Sequence, residues 1–194
     1  READSRAALA FESEYPDDGR MREQRDFLRI WSGQIVSNLG DGVNRVAVLW
    51  WARQATGSNL IVIVVALASV LPTLAAAPLA GWMVDRFPRR GLMIAADAVR
   101  CVTSLVLAGA LWAGSMSTVL VVTVTALAAA AAAVFDPALS ASVTLLVPAE
   151  LRAQANSMLG VSGALAGIAG PALGGLMIGF AGMASAFWLD AATF

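Results

Sequence analysis

The chain has 194 residues, 58% of them hydrophobic and only 14% charged, where an ordinary soluble domain is about 25% charged. All 13 basic residues are Arg, His is absent and the formal net charge is −1, a balance that argues against a nucleic-acid partner and removes the commonest metal ligand. Cys101 is the single cysteine, so neither an intrachain disulfide nor a cysteine-based metal site is expected, and no metal or other cofactor is implied.

Residues 1–26 are polar, carry both signs of charge and contain no apolar signal-peptide core. Pro16-Asp17-Asp18-Gly19 has turn chemistry. The segment reads as a mobile tail, and the absence of an initial Met as a sign of processing or trimming.

From residue 27 the apolar runs reach about 20 residues, enough to cross a hydrocarbon core about 30 Å thick. They are apolar all round rather than along one stripe, which favours a membrane over a soluble helical core. The predicted fold is therefore an all-α, polytopic membrane bundle over 27–194. Its spans are expected at 27–52, 59–84, 91–112, 118–140 and 153–180, with a sixth from 183. The junctions are short, so successive helices should run antiparallel. The sixth span would rise only about 18 Å by residue 194, short of the core thickness. The chain is thus expected to stop inside the membrane, as part of a longer protein.

Arginine sets the orientation. Arg20, Arg22, Arg25 and Arg29 precede the first span, Arg86, Arg89 and Arg90 follow the second, and Arg152 follows the fourth; the opposite junctions carry only Arg53. The positive-inside rule places the tail and the 86–90 loop in the cytoplasm. Trp31 and Trp82 fall near inner ends and Trp50, Trp51 and Trp112 near outer ends, as amphipathic rings prefer.

Three constellations carry mechanism. The first is Gly81-Trp82-Met83-Val84-Asp85-Arg86-Phe87-Pro88-Arg89-Arg90. Gly81 permits close helix approach, Asp85 can accept from arginines of its own loop, and Pro88 ends the second helix. The order fits a conformational latch; the simpler alternative is a basic anchor. The second lies in the fifth span. Gly163/Gly167, Gly170/Gly174 and Gly175/Gly179 are small-x-x-x-small pairs suited to tight helix contact, and Pro171 can kink the helix. The third is a set of ionisable groups at membrane depth. Bare charges there cost about 2.5–3.5 kcal/mol each on insertion scales, so they should pair or face a wet cavity. Asp41 and Arg45, with Asn38 and Asn44 beside them, share one helix face. Asp41 is read either as a proton-coupling acid or as half of a permanent pair with Arg45. Asp97 and Arg100 are expected to serve the loop, and Asp136 to bind Arg89 or Arg90. Asp190 lies in the sixth span.

The 81–90 stretch resembles motif A of the major facilitator superfamily, with Pro88 where Gly is usual. Gly170-Pro171-Ala172-Leu173-Gly174-Gly175 resembles its motif C, the antiporter signature, with Ala166 in place of the leading Gly. Ser37-Asn38-Leu39-Gly40-Asp41-Gly42, Thr56-Gly57-Ser58, Ala95–Arg100, Phe135-Asp136-Pro137-Ala138 and Trp188-Leu189-Asp190-Ala191 are similar to its drug, macrolide and siderophore exporter branch. Arg45 stands where that branch more often has an apolar residue. The resemblance covers residues 27–194 and implies the N-terminal six-helix half of a twelve-helix fold, built from two inverted three-helix repeats. It further implies a cell-membrane protein that exports a small amphipathic molecule in exchange for protons by alternating access, with a C-terminal partner bundle. An uncoupled facilitator and a non-transporting scaffold are the alternatives. The chain has no Lys, hence no phosphate-binding Gly-Lys-Ser/Thr loop, and no nucleophile–base pair with His, so it does not read as an enzyme.

Overall fold

The computed structural model describes the backbone of residues 17–194 and the side chains from residue 25 onward. These residues form seven α-helices and one short 3-10 turn: α1 Asp17–Thr56, α2 Asn59–Ala68, α3 Leu71–Arg86, α4 Arg89–Trp112, α5 Thr118–Leu146, the turn Ala149–Leu151, α6 Arg152–Ala181 and α7 Met183–Ala192. No strand occurs among them.

The expected tail needs correcting from residue 17 onward, because α1 already begins at Asp17. In sequence terms the Asp17-Asp18 pair read as turn chemistry is also a helix-start pattern, since acids in a first turn suit the positive end of a helix dipole. Residues 1–16, the rest of the expected tail, lie outside the described residues. At 40 residues, α1 is about 60 Å long, longer than a bilayer is thick.

The second span is two helices rather than one. The break falls at Ser69–Val70, just before Leu71-Pro72. Pro72 has no N–H to give the Ala68 carbonyl, and its ring crowds that oxygen. At the break itself the Ser69 hydroxyl donates to Ala66 O at 2.7 Å. Thr73, just past the break, donates to Ala129 O of α5 at 3.2 Å. The remaining junctions turn on local chemistry. Gly57, Gly114 and Gly182 take φ of 65°, 64° and 80°, a region costly for residues with a Cβ. The Ser117 hydroxyl caps α5 by accepting from Leu120 N, and Arg152 donates to the terminal carbonyls Thr144 O and Val147 O of the same helix.

The second span (α2 with α3), α4, α5, and α6 with its preceding turn are long and apolar enough to cross a membrane. The first helix is long enough but is not apolar enough by the same measure, since Gln34, Asn38, Asp41, Asn44 and Arg45 fall in its middle. Large apolar side chains point outward: Phe180 is 91% exposed, Val119 77% and Ile168 75%. The interior is lined instead by small residues such as Ala47, Ala52, Ala108, Ala138 and Ala186. That inversion suits a lipid surround.

The main packings are α1 on α6 and on α7, α3 on α5, α4 on α5, and α4 on α7. Exchanging spans one to three for spans four to six maps this pattern onto itself. The first span packs on the fifth as the fourth packs on the second, and the third on the fourth as the sixth on the first. The pairing therefore has the internal repeat that the resemblance implies. One apolar core, around Val43, Val65, Val121 and Phe187, closes the end of the bundle that carries Trp51; a smaller one, around Phe27, Val143 and Ala155, closes the other.

Candidate functional site

Between the two cores the bundle opens into a cavity of about 340 Å³. One wall is the polar face of α1, with Gln34, Asn38, Asp41 and Arg45; the others come from Ser69 and Thr73 at the broken span, Arg100 and Thr103 on α4, and Thr125 and Asp136 on α5. The helical period puts residues 34, 38, 41 and 45 on one face, which is why α1 can be amphipathic here while its opposite face packs on α6 and α7.

Arg100 organises this site. Its side chain is nearly buried, and its Nη2 donates to Asp41 Oδ2 in an ion pair. Its Nη1 reaches Asp97 Oδ1 at 3.5 Å. The guanidinium also lies 4.4 Å from the Phe194 ring centroid and 5.8 Å from that of Phe135, a geometry in which ring faces attract a cation. Planar Arg suits such a stacked position, flanked by two acids, better than Lys would.

This corrects three expectations. Asp41 does not pair with Arg45: Arg45 is exposed to the cavity and makes no ion pair or side-chain hydrogen bond among the described residues. A pair four residues apart on a helix is weak, worth about 0.2–0.5 kcal/mol, whereas Arg100 meets Asp41 from a facing helix. Arg100 likewise lines the cavity, with Asp97 joined to it, and neither contacts the 81–90 loop among the described residues. Asp136 also turns to the cavity and not to Arg89 or Arg90. Arg89 donates to Ala141 O at 2.8 Å, five residues nearer the end of α5 and so about 7.5 Å away along the axis.

Asp190 does not line the cavity. It is 1% exposed and lies behind it, where α1, α4 and α7 meet. Its Oδ2 accepts from Asn44 Nδ2 and from Ser104 Oγ, while Oδ1 has no partner. Asn44 therefore serves this buried network as well as the cavity wall; Asn38 accepts from Gln34 Nε2 at 2.9 Å. Ser104 has no signal in the sequence beyond lying one turn from Arg100.

The glycines of α6 divide by face. A Cβ on Gly170 would lie 2.9 Å from Gly42 Cα and Leu39 O, and one on Gly174 3.0 Å from Val43 Cα. Pro171 joins this crossing, its Cδ 2.9 Å from where a Cβ of Gly42 would stand. Gly163 has only Asn38 within reach, at 3.8 Å. Gly167, Gly175 and Gly179 would meet nothing within 4 Å, so the sequence pairs Gly163/Gly167 and Gly175/Gly179 are not contact pairs here. Trp31 Nε1 donates to Ser162 Oγ at 3.2 Å and ties the same two helices together nearer the start of α1.

In the 81–90 loop, Gly81 also meets nothing within 4 Å, so the close approach expected there is not made in this bundle. Asp85 and Arg90 are exposed, and Asp85 accepts no hydrogen bond from a loop arginine among the described residues. Arg86 lies over the Trp82 ring instead, 5.1 Å from its centroid.

Helices long and apolar enough to cross a membrane, packed around a charged cavity, define a multi-pass membrane protein. The chain belongs to the transmembrane secretion effector family of the major facilitator superfamily, whose profile matches residues 21–194. It is 38% identical over 169 residues to the multidrug efflux pump Tap of Mycobacterium tuberculosis, an alignment covering 82% of this chain and 39% of that protein. It is 31% identical over 124 residues to macrolide efflux protein A of Streptococcus pyogenes, covering 64% of this chain and 31% of that one. It is 28% identical over 176 residues to the MFS-type transporter YfiS of Bacillus subtilis, covering 89% and 40%. The chain thus spans well under half the length of these relatives. No solved structure matches it.

Proposed function

We propose that this chain forms the first helical bundle of a proton-coupled exporter in the cell membrane, which moves a small amphipathic molecule outward by alternating access. The observation that carries the reading is the charged cavity in an otherwise apolar bundle, with Asp41 bound to Arg100 inside it. The pair depends on the charge of its acid, because only an ionised carboxylate attracts the guanidinium strongly. With Asp41 ionised, Arg100 holds α4 to α1. With Asp41 protonated, the pair weakens and Arg100 retains Asp97. Proton binding would thereby bias how α4 sits against α1, and a ligand entering on one side would bias the same equilibrium. The relatives named as efflux pumps support the outward direction. The arginines at the start of α1 and in the 81–90 loop support a cytoplasmic position for both under the positive-inside rule. The exposed Gly81, Asp85 and Arg90 fit a latch closed by a second bundle that fills the space beside Gly81.

One observation also favours an uncoupled facilitator: Arg100 already neutralises Asp41, so the acid can remain ionised throughout the cycle. A single substitution separates the two readings. In everted vesicles carrying the full chain, Asp41→Asn should abolish dye uptake driven by a pH gradient while dye–dye counterflow persists. Unchanged pH-driven uptake in Asp41→Asn would refute the coupling role and leave the facilitator.

A further inference from the structure

We propose that the cavity selects dipolar molecules, those carrying a basic nitrogen at one end and an anionic group at the other, over molecules that are only cationic. The inference rests on the reading of this cavity as the transport site. It follows from which charges are left over once the internal pairs are made. Arg100 is shared by Asp41 and Asp97, so that trio carries one surplus negative charge when ionised. Asp136 stands beside it on α5, facing the cavity with no side-chain partner among the described residues. This end of the cavity therefore favours a cation.

Arg45 reverses the sign farther along. It is one helical turn beyond Asp41 on the same face of α1, about 6 Å along the axis, is exposed to the same cavity and has no acid within ion-pair distance among the described residues. Around it the wall is apolar, with Val48, Leu49 and Val65. A cation lodged against the acids would leave Arg45 facing an apolar ligand surface, desolvated and unpaired, a cost that selects against such ligands. A ligand whose anionic group lies about one turn from its amine would satisfy both ends. The volume of about 340 Å³ falls in the range of small-molecule sites. The described wall contains no aromatic residue, so on this side recognition depends on charge and amide or hydroxyl contacts rather than on ring faces.

Rhodamine 110, whose free carboxylate makes it a zwitterion, and rhodamine 123, its cationic methyl ester, differ in the group that Arg45 would contact. Binding of each to the full chain in nanodiscs, and uptake of each into everted vesicles, should favour rhodamine 110 by about fivefold, the upper end for a part-exposed ion pair. Arg45→Gln should bring the ratio of the two dyes to about one, and Arg45→Lys should preserve most of it. Equal preference in the wild type, or a ratio that survives Arg45→Gln, overturns the proposal while transport of either dye leaves the exporter reading standing. Binding of both dyes with no uptake of either, under any gradient, overturns the exporter reading instead.

Discussion

Gly170→Ala adds one methyl group where α6 crosses α1. The added carbon would sit 2.9 Å from Gly42 Cα and from Leu39 O, both backbone atoms. Carbon atoms rest about 3.5–4.0 Å apart, so the crossing must open by about 0.6–1 Å along a contact that also holds Gly42, Gly174 and Pro171. Overpacking of this kind costs about 1–3 kcal/mol; replacing Gly by Ala in a helix returns about 0.5–1 kcal/mol. The net loss is centred on about 1.2 kcal/mol within a range of about 0–2.5 kcal/mol, which at its centre is about 2–5 °C in melting temperature for a unit of this size. Gly167→Ala and Gly175→Ala supply the contrast, since a Cβ at either position meets nothing within 4 Å. These should melt at or slightly above the wild-type temperature. The assay is size-exclusion chromatography of the detergent-solubilised full chain after stepwise heating. Should Gly167→Ala prove as damaging as Gly170→Ala, or Gly170→Ala melt like the wild type, the face assignment of α6 is wrong.

Two further outcomes follow from the corrected charge partners. Asp136→Arg combined with Arg89→Asp should restore no vesicle dye transport lost in either single variant, because Arg89 donates to Ala141 O and Asp136 faces the cavity; reciprocal rescue would put Asp136 back at the loop. Ser104→Ala removes one of two side-chain donors to the buried Asp190 and should lower stability by about 1–3 kcal/mol. In a cycle with Asp190→Asn, read by the same heating assay, the combined loss should fall short of the sum of the two singles; strict additivity would show that Ser104 and Asp190 do not interact.

Hydropathy and arginine spacing determined that this is an all-α membrane protein, where most helices begin and end, and which of its loops are basic. Those features are local: an apolar run, a positive-φ glycine or a proline acts within its own turn, so Gly57, Gly114 and Gly182 could be read as helix ends from sequence. Part of the polar face of α1 was legible for the same reason, because Asp41 and Arg45, with Asn38 before them, repeat at the helical period; Gln34 was added only by the structure. The partners were not. Asp41 pairs with Arg100 from 59 residues away rather than with Arg45 one turn on, and Asp190 is buried behind the cavity by Asn44 and Ser104, at 146 and 86 residues' separation. Nor could spacing say which glycines of the fifth span touch anything, since period four is shared by both faces of a glycine-rich helix. Partner choice depends on which helix faces which, and the rotation of each helix about its own axis is fixed only when small residues on two helices meet. Here the contact of Gly42 with Gly170 sets that rotation for α1, and with it turns Asp41 toward Arg100 and leaves Arg45 facing the cavity.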